Sequence, residues 1–269
     1  MKENKMEPML HKRQRTSWLG KTIYSYEEID STNTEGKRLA EKGAPHGSVI
    51  RAQVQTAGRG RRGRSWSSPK DAGIWFSIIL RPDIAQESAP VLTLAAAMAV
   101  VRAIRRLPGA KPQIKWPNDV VMSGKKVCGI LTEMSPQKEG VDYIVVGIGI
   151  NMRQQAFPPD IIATATSLEQ ELPETVVSGE MLFTAVLEAF ETYYDKFMQT
   201  GDASLFLEEY HGSLANKDRQ VKVLDPQGDY EGIARGINRR GELLVEREGT
   251  LSTVNAGEVS VRGIYGYAP

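Results

Sequence analysis

Apolar positions along the chain show two textures. Up to about residue 212, short apolar runs of strand length alternate with stretches of helical periodicity. Beyond it, apolar and polar residues alternate over short runs punctuated by glycines 228, 232, 236, 241, 249 and 257. Residues 22–26 predict a strand. Ser31-Thr32-Asn33 then opens a helix, with Thr32 and Glu35 spaced as a capping box, and Gly43-Ala44-Pro45 ends it. Residues 48–53 and 73–80 predict two strands. Residues 91–107 are apolar nearly all round until Arg102, which predicts a buried helix stopped by Pro108-Gly109. Strands are predicted near residues 113–116 and 120–122, and Ser123-Gly124-Lys125 reads as a hairpin turn. Further apolar strands are expected at 126–134 and 143–151. An amphipathic helix over 180–198 carries Leu182, Val186, Phe190, Tyr193 and Phe197 on its core face, and a shorter helix spans 203–210. The order predicts an α+β protein in three parts: a polar tail, partly disordered, over 1–21, a large domain over 22–215, and a small β-barrel of SH3-like size over 216–269 that docks on it.

Composition narrows the chemistry. Lys+Arg number 34 against 33 Asp+Glu, a formal net charge of +1, so the chain as a whole is not a generic polyanion binder. Any basic function must be local. A single cysteine, Cys128, excludes a disulfide framework and any zinc site with two cysteine ligands. The three histidines, His11, His46 and His211, lie far apart, and no metal site is expected. No apolar stretch reaches membrane-spanning length, and the basic N-terminus lacks the apolar core of a secretory signal. No membrane partner and a cytoplasmic location are expected.

The local chemistry is concentrated. Residues 58–64 hold four arginines and three glycines with no acid. Glycines let backbone approach a ligand, and arginines offer permanently charged forks for phosphate or carboxylate. The segment sits between two core strands, which favours a ligand loop over a solvated nucleic-acid tail. Trp66 beside it suits either stacking on a base or plain packing. Lys115-Trp116-Pro117-Asn118-Asp119 reads by itself as turn chemistry, and Lys126 as a turn lysine or as a cation aimed into a cleft. Cys128, inside an apolar strand, reads as a small buried hydrophobe. Gly147-Ile148-Gly149 starts like a dinucleotide fingerprint, but Met152 occupies the third glycine's place and no helix follows. Gly20-Lys21-Thr22 lacks the upstream glycine of a P-loop, since Arg15 stands there.

Taken together, Ser31-Thr32-Asn33, Gln55, the 58–64 loop, Trp66, residues 115–119, Lys126 with Gly129, and Gly147 to Asn151 resemble the biotin–protein ligases. The resemblance runs from about Thr22 to the C-terminus in order and spacing. It implies a class II synthetase-like mixed sheet flanked by helices, plus the SH3-like C-terminal barrel. Some members carry an N-terminal helix-turn-helix and repress genes. Only 30 residues precede Ser31 here, so the non-repressor type without specific DNA binding is expected. The implied reaction joins biotin to ATP as biotinyl-5′-AMP, releasing pyrophosphate, and then passes biotin to a lysine of a carboxylase carrier domain.

The resemblance also implies roles. Lys126, Arg59 and Asp119 are the implied catalytic groups, Lys126 bridging carboxylate and phosphate and Asp119 positioning or deprotonating the attacking lysine. Biotin is expected to meet Ser31, Thr32, Asn33, Gln55, Gly58, Arg59, Gly60, Arg61, Lys126 and Gly129. The nucleotide is expected to meet Arg61, Arg62, Arg64, Trp66, Asn118, Lys126, Asn151 and Arg262, with Mg²⁺ on its phosphates. The partner is the biotin carboxyl carrier domain of acetyl-CoA or pyruvate carboxylase, and a homodimer is compatible with the family. Three other readings stay open: a lipoate or octanoate ligase of related fold, a biotin-sensing regulator that also ligates, and a basic nucleic-acid-binding module built on residues 58–64.

Overall fold

The computed structural model describes residues 15–153, 157–225, 228–256 and 260–263. Its centre is a seven-stranded mixed sheet in the order β1-β2-β3-β7-β6-β5-β4. β1 (Ile23–Ile29) runs parallel to β2 (Val49–Gln55), and every other neighbouring pair is antiparallel. β3 (Gly73–Leu80) and β7 (Val141–Asn151) lie at the centre. β6 (Lys125–Pro136), β5 (Asp119–Met122) and β4 (Gln113–Lys115) complete the sheet.

The period of two along these strands sorts residues onto two faces. Phe76, Ile78, Ile144, Val146 and Ile148 join the main core with α2 (Val91–Ile104) and α4 (Gly179–Thr200). Ile50, Ile79, Tyr143 and Val145 form a second, smaller cluster beneath α1 (Thr32–Glu41). The sheet therefore separates α1 from the α2–α4 pair.

Several expectations are corrected. Residues 86–104 do have the length and apolar character of a membrane span, with mean hydropathy 1.5. All of α2 except Thr93 and Arg102 is nevertheless buried, as befits a core helix. The segment just before β1 is not a loose tail. The buried Glu191 carboxylate of α4 accepts the backbone N–H groups of Ser17 at 2.8 Å, Trp18 at 2.7 Å and Leu19 at 3.2 Å. Leu19 is fully buried. Residues 1–14 of the expected tail lie outside the described residues. The helix expected at 203–210 is a single 3₁₀ turn, Ser204–Phe206, followed by α5 (Leu207–His211). One further helical turn, α3 (Leu168–Glu171), lies between β7 and α4, where the sequence pattern predicts no element.

The C-terminal unit is a five-stranded antiparallel sheet in the order β11-β10-β9-β8-β12. Its strands are β8 (Arg219–Leu224), β9 (Tyr230–Ile237), β10 (Leu243–Arg247), β11 (Thr250–Val254) and β12 (Ser260–Gly263). It docks through specific bonds. Trp116 Nε1 donates to the Gly241 carbonyl at 2.9 Å, and Ala203 N donates to the Arg239 carbonyl at 2.8 Å.

Candidate active site

The site occupies the α1 face of the large sheet, beyond the first turn of α1. Ser31, not Thr32, caps that helix: its backbone is extended and its hydroxyl accepts from Thr34 N. Both residues are good caps, and the chain uses the earlier one. Glu35 leaves the expected box and accepts from Tyr26 Oη at 3.0 Å instead. The Thr32 hydroxyl is thereby free to face inward.

A polar network follows. Gln55 Oε1 accepts from Thr32 N at 2.8 Å and from Thr32 Oγ1 at 3.1 Å. Ser77 Oγ lies 2.8 Å from Thr32 Oγ1 and 2.7 Å from Asn33 Oδ1. Asn33 Nδ2 donates to the Leu131 carbonyl at 3.1 Å and to Glu133 Oε2 at 3.0 Å. The hydroxyls of Thr32 and Ser77 supply two protons, while the acceptors among them include two amide oxygens and each other's lone pairs. Acceptor capacity is left over on the cavity wall, which suits a ligand that brings N–H donors.

The floor under this network is made by missing side chains. Gly147 sits where a Cβ would lie 1.9 Å from Asn33 Oδ1. A Cβ on Gly149 would lie 2.5 Å from Trp66 Nε1, and one on Gly129 would lie 2.7 Å from the same ring. Gly129 and Gly149 are direct cross-strand partners, so together they form a shelf for the indole. The glycines that fail as a dinucleotide fingerprint have this use instead.

The Gly–Arg segment folds as a small hairpin over that shelf. Trp66 N donates to the Gly58 carbonyl at 2.8 Å, and Gly60 N donates to the Arg64 carbonyl at 2.7 Å. Arg62 and Gly63 turn the tip with φ of 58° and 73°. Gly58 lies at the root, where a Cβ would meet the Trp66 carbonyl at 2.3 Å. Three cavities open around the hairpin. The first is walled by Ser31, Thr32, Asn33, Gln55, Arg59, Gly60, Arg61, Lys126 and Gly129, nine of the ten residues expected to meet biotin. Gly58 does not reach its wall. The second gathers Arg61, Arg62, Arg64, Trp66, Asn118, Asp119, Lys126 and Asn151. Arg262 pairs through its backbone with Lys222 on β8. Its side chain lies outside the described residues.

Lys126 stands where the first two cavities meet. Its ammonium is 2.5 Å from Asp119 Oδ1 and 5.1 Å from the centre of the Trp66 ring. Its backbone is pinned on the other side, N donating to Thr164 O at 2.8 Å and O accepting from Thr166 N at 2.9 Å. Asn118 Nδ2 donates to the Ile130 carbonyl at 2.9 Å, while its Oδ1 accepts from Arg61 at 2.9 Å. Arg61 also donates to the Ala256 carbonyl of the C-terminal sheet. Asn151 Nδ2 is held by the Thr166 carbonyl at 2.9 Å. Cys128 is fully buried, and burial pushes its thiol well above the ordinary range, so it is no nucleophile.

A third cavity lies between the start of α2, β6 and the C-terminal sheet, with Thr93, Thr132, Met134 and Gly241 on its wall. It shares Arg61 and Asn118 with the other two. Sequence reasoning missed Ser77, Gly147 as a contact surface, and Glu133. The signal for Glu133 was a lone acid at strand spacing from Gly129 and Leu131, hence on the ligand face.

Comparison with known proteins agrees with this geometry. Residues 25–151 match the biotin/lipoate A/B protein ligase family, and residues 218–262 match the biotin protein ligase C terminal domain. The bifunctional ligase/repressor BirA of Bacillus spizizenii is 37% identical over 251 residues, covering 92% of this chain and 76% of BirA. The chain belongs to the biotin protein ligase family. The biotin–[acetyl-CoA-carboxylase] ligase of Mycobacterium tuberculosis is 33% identical, covering 86% of each chain. Among solved structures, the biotin protein ligase of Aquifex aeolicus in complex with biotin and ATP superposes with a TM-score of 0.78 at 30% identity, covering 90% of this chain and 98% of that one. Family membership carries the mixed sheet with its C-terminal β-unit.

Proposed function

We propose that this ligase joins biotin to a lysine of a biotin carboxyl carrier domain, using ATP. One observation carries the reading: a cavity rich in hydrogen-bond acceptors and a cavity rich in arginine meet at a single lysine, Lys126. In the first step a biotin carboxylate oxygen attacks the α-phosphorus of ATP, and the bond to pyrophosphate breaks. Both reactants are anions, so fixed positive charge is the main requirement. Lys126 meets it at the junction, Arg61, Arg62 and Arg64 on the phosphate side, and Arg59 on the biotin side. Ser31, Thr32, Asn33 and Gln55 hold the ureido group, and Gly129 and Gly60 leave room for the ring and chain. Trp66 closes the bound pair from water and packs on the adenine.

In the second step a neutral lysine amine attacks the acyl carbon, and the bond to AMP breaks. Asp119 orients that amine or takes its proton. Asp119 and Asp160 are carboxylates on the nucleotide cavity, and a Mg²⁺ ion would be held chiefly by phosphate oxygens there, drawing off their charge. The same reading takes in a carrier domain from acetyl-CoA or pyruvate carboxylase, a homodimer and a cytoplasmic location. It also divides the chain into a lead-in over 1–21, a catalytic unit over 22–215 and a supporting unit over 216–269.

The test is ATP–pyrophosphate exchange with biotin, lipoate and octanoate in parallel, followed by transfer of labelled biotin to a carrier domain. Exchange with biotin alone, and label on one carrier lysine, is the expected result. Exchange with lipoate alone would overturn the substrate. No exchange in folded protein with Mg²⁺ would overturn the activity.

A further inference from the structure

We propose that Glu133 is a positioning residue that couples filling of the first cavity to closure of the arginine hairpin. The proposal rests on the biotin reading of that cavity and adds a regulation to it. Three separate parts of the fold meet at this carboxylate. From α1, Asn33 Nδ2 donates to Oε2 at 3.0 Å, and Lys37 Nζ lies 2.7 Å from Oε1. From the hairpin, Arg59 approaches Oε1 at 3.2 Å. From β6, Glu133 shares a strand face with Leu131 and Gly129, which line the first cavity while Glu133 stands just behind its wall.

The arrangement differs from a surface ion pair, which is worth little. The Glu133 side chain is only 19% exposed, against 46% for Arg59; Lys37 meets Oε1, Asn33 meets Oε2, and one Arg59 nitrogen reaches both, at 3.2 and 3.5 Å. Burial alone would raise its pKa, but hydrogen bonds from Lys37 and Asn33 and the charges of Lys37 and Arg59 outweigh it and hold the carboxyl below its ordinary value. The group is therefore a charged hub at neutral pH. Asn33 is the link to ligand. Its amide is held at Nδ2 by Glu133 and Leu131 and at Oδ1 by Ser77, so a ligand donor on the remaining Oδ1 lone pair stiffens the amide plane further and with it the Glu133 oxygen. A fixed carboxylate is a better anchor for Arg59. The hairpin's other polar ties run through Arg61, on the far side of the path. Coupling of this kind is reciprocal: whatever helps closure must tighten the ligand by the same factor.

Three variants test it, each read by biotin-dependent exchange and by trypsin cleavage after Arg61, Arg62 and Arg64, located by mass spectrometry. Glu133→Gln keeps the shape and removes the charge. Its KM for biotin should rise about tenfold with kcat within about threefold, the loss expected for one charge-assisted tie. Trypsin should cut its hairpin faster without ligand, and saturating biotin should slow that cut less than in the parent. Arg59→Gln removes the same tie from the other end together with the charge Arg59 brings to the biotin side, so kcat should fall as well as KM rise. Adding Glu133→Gln to it should raise KM no further. Lys37→Gln removes one holder of the same carboxylate but leaves its ties to Asn33 and Arg59 and touches neither hairpin nor cavity, so KM and protection should shift by less than half as much as in Glu133→Gln. Equal hairpin cleavage in the parent and Glu133→Gln would overturn the coupling, as would a Lys37→Gln variant with the Glu133→Gln phenotype. The ligand-free cleavage needs no substrate, so it reports on the Glu133–Arg59 tie even if biotin-dependent exchange were absent.

Discussion

Substituting Gly147 by alanine tests the glycine floor most directly. The added Cβ would lie 1.9 Å from Asn33 Oδ1, 2.8 Å from Cγ and 3.1 Å from Nδ2, so the whole amide must leave. The strand cannot yield instead, because Gly147 is paired with Ser77 on one side and Leu131 on the other. Eviction breaks the bonds from Ser77 at 2.7 Å, to the Leu131 carbonyl at 3.1 Å and to Glu133 at 3.0 Å. Two neutral bonds and one to a charged acceptor sum to about 3–5 kcal/mol. Removing a strand glycine returns about 0.5–1 kcal/mol of backbone entropy, leaving a net loss of about 2–4 kcal/mol. For a chain of this size that is a fall of roughly 5–15 °C in Tm. Biotin affinity should fall about thirtyfold or more, since losing the Asn33 contact costs about 2 kcal/mol. The assay is paired: scanning calorimetry for stability, and exchange kinetics or calorimetric titration for biotin. Asn33→Ala removes the group that clashes, so the double variant should melt no lower than Asn33→Ala alone and still bind biotin weakly. A Gly147→Ala protein that melts within about 2 °C of the parent and binds biotin normally would refute the reasoning.

Three other outcomes follow from the site. Lys126→Gln should lower biotin-dependent exchange about 10²–10³-fold while the fold is kept, which circular dichroism would check; an unchanged rate would remove Lys126 from the chemistry. Arg61→Gly cuts the ties from the hairpin to Asn118 and Ala256, so biotinyl-AMP should escape and label bystander lysines, read on a blot of added albumin; labelling confined to the carrier would contradict the latch role. The third concerns pH. His46 packs against Trp18 and Tyr194 and accepts the Arg81 N–H at Nδ1, 3.0 Å away. Burial first, and then the Arg81 charge, lower its pKa from 6.5, with Asp195 opposing. The unfolded chain therefore binds the proton more readily, and stability should fall as pH drops below 6.5 towards the folded value. Urea midpoints between pH 7.5 and 5 should show this slope in the parent and lose it in His46→Asn; equal slopes would exclude His46.

Much of the frame was legible because local pattern and tertiary role agree. α2 announces itself by being apolar all round, and it is the buried helix. α4 repeats its apolar residues at helical spacing, and that stripe lies in the core. What stayed hidden depends on partners far along the chain. Glu191 anchors residues 17–19 from more than 170 positions away, so those residues read as a tail. Asn33 finds Glu133 across 100 residues. Ser31 and Thr32 are equally good caps, and only the inward pull of Gln55 and Ser77 on the Thr32 hydroxyl decides between them. The 58–64 loop was legible in composition but not in form. Nothing local says that Arg59 turns to the first cavity while Arg61 reaches the second and the C-terminal sheet.

β7 shows how one strand can serve stability and recognition without conflict. Ile144, Val146, Ile148 and Ile150 point to the α2–α4 core and are buried. The intervening positions change character along the strand. Tyr143 and Val145 pack beneath α1, and then, where α1 has ended, Gly147, Gly149 and Asn151 follow. Core packing on one face holds the backbone still, which is what lets empty positions on the other face act as fixed surfaces. A glycine floor on a mobile segment would collapse onto Trp66 and Asn33. Here each glycine is paired across the sheet with residues of β3 and β6, so the space above it persists for a ligand. Substitutions at even positions of β7 should therefore register first in melting temperature. Substitutions at Gly149 should register first in binding, because there the added carbon meets the Trp66 ring, which can swing away with its hairpin at less cost to the fold.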